Sequence, residues 1–248
     1  MPAIQSSTAT VPQAMPASKT AMLALPLVLS TAAGAVDVIG FLSMGGLFTA
    51  HITGNVVVVA AHYVTGGFGQ IGPLLAVPVF VFVLGAVVLA FGRSQTIGSS
   101  RRAMLILHAA LLAVCFGLGI AFGPFRNPDS GMAVLTGMVA VSAMAIQNAL
   151  VKLALVGAPS TAVMTTNTTQ LVIDLLAAWR KQRSPDELAR ATKRARVTFA
   201  CILGFTVGCV AGAILEMHLG IRAMAMPLVL AILALAPGEF QSNEQFSK

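Results

Sequence analysis

Two stretches decide how this chain is read: TAHITGN at residues 49–55 and TAVMTTN at residues 161–167. Each begins with Thr-Ala, carries Thr at its fifth place and ends on Asn. Both are polar, and both lie in a chain that is otherwise built for lipid. Of its 248 residues 57% are hydrophobic and 9% charged, where a soluble domain carries roughly a quarter charged residues. The mean hydropathy is +0.88. The abundance of glycine and proline, 23 and 12 residues, also suits membrane helices. The solvent for this chain is therefore a bilayer, and the question is what a polar heptad does there twice.

Eight apolar segments follow one another, at about 21–46, 47–65, 72–92, 103–123, 132–157, 158–179, 197–217 and 221–238. A spanning helix needs roughly 20 mostly apolar residues. The second and sixth segments fall short, because the heptads occupy their front halves. The expected architecture is an all-α polytopic membrane protein with about six full transmembrane helices and two short or broken ones. Residues 1–20 read as a disordered tail, 21–238 as a single transmembrane domain, and 239–248 as a C-terminal tail.

The net charge is +7, and its placement argues for topology. Three basic residues fall in RSQTIGSSRR (93–102) and seven of the 15 in RKQRSPDELARATKRAR (180–196). Such short basic connections belong on the cytoplasmic side and suit anionic lipid, not nucleic acid. Three full crossings between them would separate them, whereas two keep them together. If the sixth segment enters and returns, and the second does likewise, repeat one (about 21–92) and repeat two (about 132–217) become inverted copies. Both termini then lie in the cytoplasm. Eight full crossings with parallel repeats is the alternative, and it would strand Arg93, Arg101 and Arg102 outside.

The stretches AGAVDVIGFLSMGGLFTAHITGNVVVVA (33–60) and AMAIQNALVKLALVGAPSTAVMTTNTTQLVIDL (143–175) resemble the YoaK-like family of bacterial inner-membrane proteins, a domain-of-unknown-function family. The first carries the pattern through Gly34, Asp37, Phe48, Thr53, Gly54 and Asn55, the second through Gln147, Asn148, Thr161 and Thr165. The likeness runs over roughly residues 20–238. It implies a multi-pass protein of the bacterial inner membrane and implies no activity. The chain departs from the pattern at Thr165–Asn167, where the family often has Thr-Gly.

Bare backbone at membrane depth is tolerated where it lines a cavity or is buried in protein. Thr and Asn cap helix starts, and two half-helix starts that meet near the midplane would form a site for a small solute, anionic in one reading. The residues expected to bind it are Asp37, Thr53, Gly54, Asn55, Gln147, Asn148, Thr165 and Asn167. His51 and Asp174 are candidates for a proton path, because an ionisable group inside a membrane is costly and signals function by default. Interhelical hydrogen bonding is the plainer reading of the same residues. The three cysteines sit in apolar runs and the histidines lack ligand spacing, so neither a metal nor a cofactor is expected. No nucleophile elbow, phosphate loop or dinucleotide fingerprint marks an enzyme. The expected function is a secondary transporter or channel-like carrier of a small solute, in one version coupled to H⁺ or Na⁺. A membrane scaffold or, less in keeping with the residues, an intramembrane enzyme are the alternatives. Gly204, Gly208 and Gly212 recur at i+4 and mark a close-packing face, within the bundle or between copies in a homo-oligomer.

Overall fold

The computed structural model describes residues 19–66, 69–92, 97–179 and 184–236. Residues 1–18 of the expected N-terminal tail, the C-terminal tail, Arg93 and the first residues of the second basic connection lie outside them, while Lys19 and Thr20 already belong to the first helix. The helices are α1 (Lys19–Ser43), α2 (Gly54–Thr65), α3 (Ile71–Phe91), α4 (Ile97–Phe122), α5 (Gly131–Ala154), α6 (Met164–Trp179), α7 (Pro185–Leu219), a 3-10 turn (Gly220–Met224) and α8 (Ala225–Leu233). Among the described residues there is no strand. Five helical runs are long and apolar enough to cross a membrane, the last of them continuous in composition from Pro185 to Leu233. Large side chains such as Phe82 and Leu89 point outward, while Asp37, Asn55, His108, Gln147 and Asn167 are buried. That inside-out distribution is what a lipid solvent demands, and the protein is a polytopic helical membrane protein.

Packing fixes the direction of each helix. Gly204 lies against Leu27, Gly208 against Thr31 and Gly212 against Ala35, so α1 and α7 run parallel. Gly34 lies against the Phe205 carbonyl in the same contact. The glycine stripe thus packs within the bundle. Conversely, Gln147 reaches the Leu29 carbonyl, while Gly137 touches Met44 and Leu47, so α5 is antiparallel to α1. Leu47 also touches Gly72 at the start of α3, and Val87 near its end shares a cluster with Ile146 and Leu150. Helix α3 therefore runs parallel to α5. In α4, His108 meets the Ala143 carbonyl and Gly119 meets Ile221, which aligns α4 with α1.

These directions bring Arg101, Arg102, Lys152, Arg190, Lys193, Arg194 and Arg196 to one end of the bundle, where α1, α4 and α7 begin and α5 and α6 finish. We call it the basic face. Helix boundaries shift relative to the apolar segments for clear reasons. Helix α7 starts at Pro185, well before its apolar run, because Ser184 and Glu187 form a capping box that stabilises a first turn outside lipid. Helices α2 and α6 start late, at 54 and 164, because the residues before them are not helical.

The α1–α7 contact generates a test. A Cβ at Gly208 would collide with the Thr31 backbone, whereas one at Gly85 meets nothing within 4 Å. Gly208→Val should destabilise the purified protein by about 1–3 kcal/mol or more. Gly85→Ala should leave thermal unfolding in detergent unchanged or slightly improved.

Candidate functional site

Helix α1 ends at Ser43 on the face opposite the basic one. The chain turns there through Gly45 and Gly46, both at positive φ. Gly45 is also pressed against Gly69 and Pro128, so no Cβ would fit. Residues 47–53 then run back into the bundle alongside α1, and α2 returns to the face it came from. The tip is held by Asp37. One carboxylate oxygen accepts from Thr49 N at 2.8 Å, Thr49 Oγ1 at 3.1 Å and Ala50 N at 2.6 Å. The other accepts from His51 N at 3.2 Å and faces His51 Nδ1 at 2.7 Å. Successive N–H groups converging in this way form an anion-binding nest. An internal carboxylate fills it, only 3% exposed. Asp37 lies six residues before the end of α1, so the tip is about 9 Å inside the helix end.

The second heptad is arranged likewise from the other face. Helix α5 finishes at Ala154 on the basic face. The chain turns through Gly157 at positive φ, and residues 158–163 run back to Thr161, whose hydroxyl accepts from Gln147 Nε2 at 3.0 Å. Helix α6 then returns to the basic face. Each Asn ending a heptad makes the same bond. Asn55 Nδ2 donates to the carbonyl of Phe48 at 2.7 Å and Asn167 Nδ2 to that of Ser160 at 2.6 Å, seven residues back in both cases. Asn55 also accepts from Phe48 N at 2.9 Å. Each amide thus closes a loop of non-helical backbone.

The expected site residues separate into those the structure draws together and those it does not. Asp37, His51 and Asn55 belong to the first tip, and Gln147 and Asn167 to the second. Gly54 is in the first tip because a Cβ would meet the Phe48 ring at 2.9 Å. Thr53 and Thr165 are exposed. Thr53 sits at the N-cap of α2 in helical geometry and makes no cap bond with its side chain, so the asparagines do the closing that a Thr cap was expected to share. Asn148 points along its own helix to the Met144 carbonyl. Asp174 is paired with Arg194, whose Nε donates to it at 2.7 Å, and it accepts from Gln170 Nε2. That ion pair ties α6 to the start of α7. Around the first tip, His51 packs edge-on to Phe205 with ring centroids 5.2 Å apart. Among the described residues no group of three or more His, Cys, Asp or Glu could hold a metal.

Sequence reading missed the hinge glycines. The signal was present. Gly45 and Gly157 stand at the same offset, 112, as Thr49 and Thr161 and as Asn55 and Asn167.

Beyond the membrane core, Asp129 in the α4–α5 connection accepts from Gly69 N at 2.8 Å and Ile71 N at 2.9 Å, and so caps α3. Burial pushes its carboxyl up, but the bonds from Ile71, Gly69 and Gln70 N–H, with the charge of His62, together outweigh that and hold it below the ordinary carboxylate value.

Two outcomes are expected. Asp37→Asn, Asn55→Ala and Asn167→Ala should each lower thermal stability, the last two by about 1–3 kcal/mol for the unpaired peptide groups they leave, while Thr53→Ala should change it little. For Asp129 the folded value is depressed, so its stabilisation is complete above the unfolded value and is lost as pH falls through the lower folded one. The stability gap between wild type and Asp129→Asn should therefore be constant near neutrality and close below about pH 4.

A family model described as a protein of unknown function (DUF1275) matches residues 25–236, in line with the resemblance drawn from the two motifs. No curated protein and no solved structure matches the chain.

Proposed function

The chain belongs to the DUF1275 family, and we propose that it is a secondary carrier of a small polar solute, built as two inverted repeats with a shared site between the tips of the two returning hairpins. The observation that supports this reading is the pair of hairpins themselves. They enter from opposite ends of the bundle, and their tips reach one helix, at Asp37 and at the Leu29 carbonyl. Eight residues separate those points, about 12 Å along α1. Half-helices meeting across a bundle from opposite faces are the device by which carriers expose one site alternately to two sides.

In this reading repeat one comprises α1–α3 and repeat two α5–α7. The third helix of each packs along the first helix of the other, α7 on α1 and α3 on α5. Rocking one pair against the other would open the site first to one face and then to the opposite one. The basic face lies in the cytoplasm, where its arginines and lysines meet anionic headgroups. His51, hydrogen-bonded to Asp37 and partly exposed, is the proton-responsive group, since imidazole changes charge near physiological pH. The scaffold alternative draws on a specific feature as well: Asp37 is saturated with donors, as a purely structural carboxylate would be.

Proteoliposomes separate the two. A carrier should accumulate at least one radiolabelled solute from a panel of anionic, zwitterionic and uncharged compounds under an imposed pH gradient. His51→Gln should reduce that accumulation about tenfold or more and preserve counterflow exchange. Ser184→Cys should react with impermeant maleimide only from the cytoplasmic side. Wild-type liposomes that accumulate nothing beyond protein-free ones would leave the scaffold reading in its place.

A further inference from the structure

Each hairpin is tied to the rest of the bundle by one carboxylate, and the two carboxylates sit at opposite ends. In the first hairpin it is Asp37, at the tip. In the second it is Asp174, near the mouth. At the first tip five groups of loop 47–53 converge on the charge: the N–H groups of Thr49, Ala50 and His51, the Thr49 hydroxyl and His51 Nδ1. Among the described residues, loop 158–163 reaches the bundle through one neutral hydrogen bond, from Gln147 Nε2 to Thr161 Oγ1 at 3.0 Å. Its other bonds are its own. Ser160 Oγ accepts from Ala162 N and Val163 N, and Asn167 Nδ2 donates to the Ser160 carbonyl. Such bonds hold the shape of the loop and not its place.

The mouths reverse this order. Asp174 is buried and accepts from Arg194 of α7 through Nε at 2.7 Å and through Nη2, with Gln170 Nε2 at 3.0 Å as a further donor. A two-pronged guanidinium–carboxylate pair is strong and geometrically specific, and losing Arg194 would leave a buried charge. Asp174 follows Asn167 by seven residues, two turns along one face of α6. Seven residues after Asn55 stands His62, the matching position on α2. Its Nδ1 is buried without a partner. Among the described residues, no hydrogen bond of His62 ties α2 to a neighbour as Arg194 ties α6.

Loop 158–163 therefore lies between two points that can serve as pivots. One is Gly157, at positive φ in the turn after α5. The other is Asp174, ten residues into α6. If Thr161 leaves Gln147, that amide keeps its bond to the Leu29 carbonyl at 3.0 Å, so α5 stays joined to α1. The departure uncovers a fully buried side chain whose Oε1 already lacks a partner. The same motion at the first tip would strip a buried carboxylate of its donors.

We propose that the second hairpin is a moving gate and the first a fixed post. Residues 158–163 swing away from Gln147 toward the basic face, about Gly157 and the Asp174–Arg194 pair, while residues 47–53 stay clasped to α1. This rests on the carrier reading and assigns its cytoplasmic opening to one loop. Opening there breaks one neutral hydrogen bond and the packing of two small side chains, Thr161 and Ala162, and leaves the contacts between long helices in place.

Hydrogen–deuterium exchange of the detergent-purified full chain, read by mass spectrometry, tests the contrast in wild type. Residues 160–163 should exchange about tenfold or more faster than 49–51, the ratio expected when one neutral bond is set against a shared charge. Thr161→Ala should speed exchange at 160–163 and leave 49–51 and the turns around Asp174 as in wild type. Arg194→Gln should instead speed exchange along α6. Ala50 and Ala162 are matched probes of accessibility, since both are buried in one apolar cluster. In inverted membrane vesicles, whose outer surface is the cytoplasmic face, an impermeant methanethiosulfonate should modify Ala162→Cys about tenfold or more faster than Ala50→Cys, read on the peptides that carry them. Equal protection of the two tips, faster exchange at 49–51 in Thr161→Ala, unchanged exchange of α6 in Arg194→Gln, or equal labelling of the two cysteines would each overturn the proposal. Neither measurement needs a solute. A mobile second tip in a protein that accumulates nothing would keep the gate and remove the carrier. Accumulation by a protein with equally protected tips would do the reverse.

Discussion

A peptide N–H or C=O in hydrocarbon must find its partner inside the chain, and this requirement shapes most of the structure. Helices meet it by themselves. The two segments that leave helix and run back into the bundle cannot, and each needs a side chain to supply what water would supply elsewhere. Asp37 gathers the N–H groups of Thr49, Ala50 and His51. Asn55 and Asn167 clasp the carbonyls at the base of each loop. An Asn amide is suited to this because it donates and accepts at once, so one side chain closes a loop that two backbone strands would otherwise have to close together.

The rest of the bundle can be understood as support for those loops. Helix α1 carries Asp37 at the first tip and offers the Leu29 carbonyl to the second. It is therefore enclosed on several sides, by α5, by α8 and most closely by α7. The glycines of α7 let the two backbones approach until a Cβ at Gly34 or Gly208 would strike a carbonyl. Close approach of this kind supplies dispersion contact where the hydrophobic effect between helices is absent. Helix α3 makes the corresponding contact along α5, but without the glycine stripe, and Gly85 faces open space. The two halves share a path of the chain and not every packing detail.

Their chief chemical difference is the exchange of a carboxylate for an amide. Asp37 can be tolerated deep in the bundle because its charge is spread over several donors. Gln147 needs no such shell, and it leaves an acceptor free. A symmetric chain would have had two filled nests and nothing to offer a ligand, or two carboxylates whose mutual repulsion would work against burial. The observed pairing gives one tip that is locked by its own anion and one that retains unused hydrogen-bonding capacity.

The sequence alone determined that this protein lives in a bilayer, how many helical segments it has, and that two of them are polar at the front. Each of these depends on local composition, which a transfer free energy sums residue by residue. The matched heptads were legible for the same reason, since Asn and Thr at a fixed spacing in an apolar run have few other uses. What only the tertiary structure decided was the partnership of each polar group. Thr53 and Thr165 look equivalent to Asn55 and Asn167 in the sequence, yet the asparagines close the loops and the threonines stay exposed. Asp174 resembles Asp37 on paper, but Arg194 pairs with it through a hairpin between α6 and α7. The carbonyl of Leu29 receives the amide of Gln147 from 118 positions away, and such a partnership belongs to the packing of α5 on α1 and not to any local pattern.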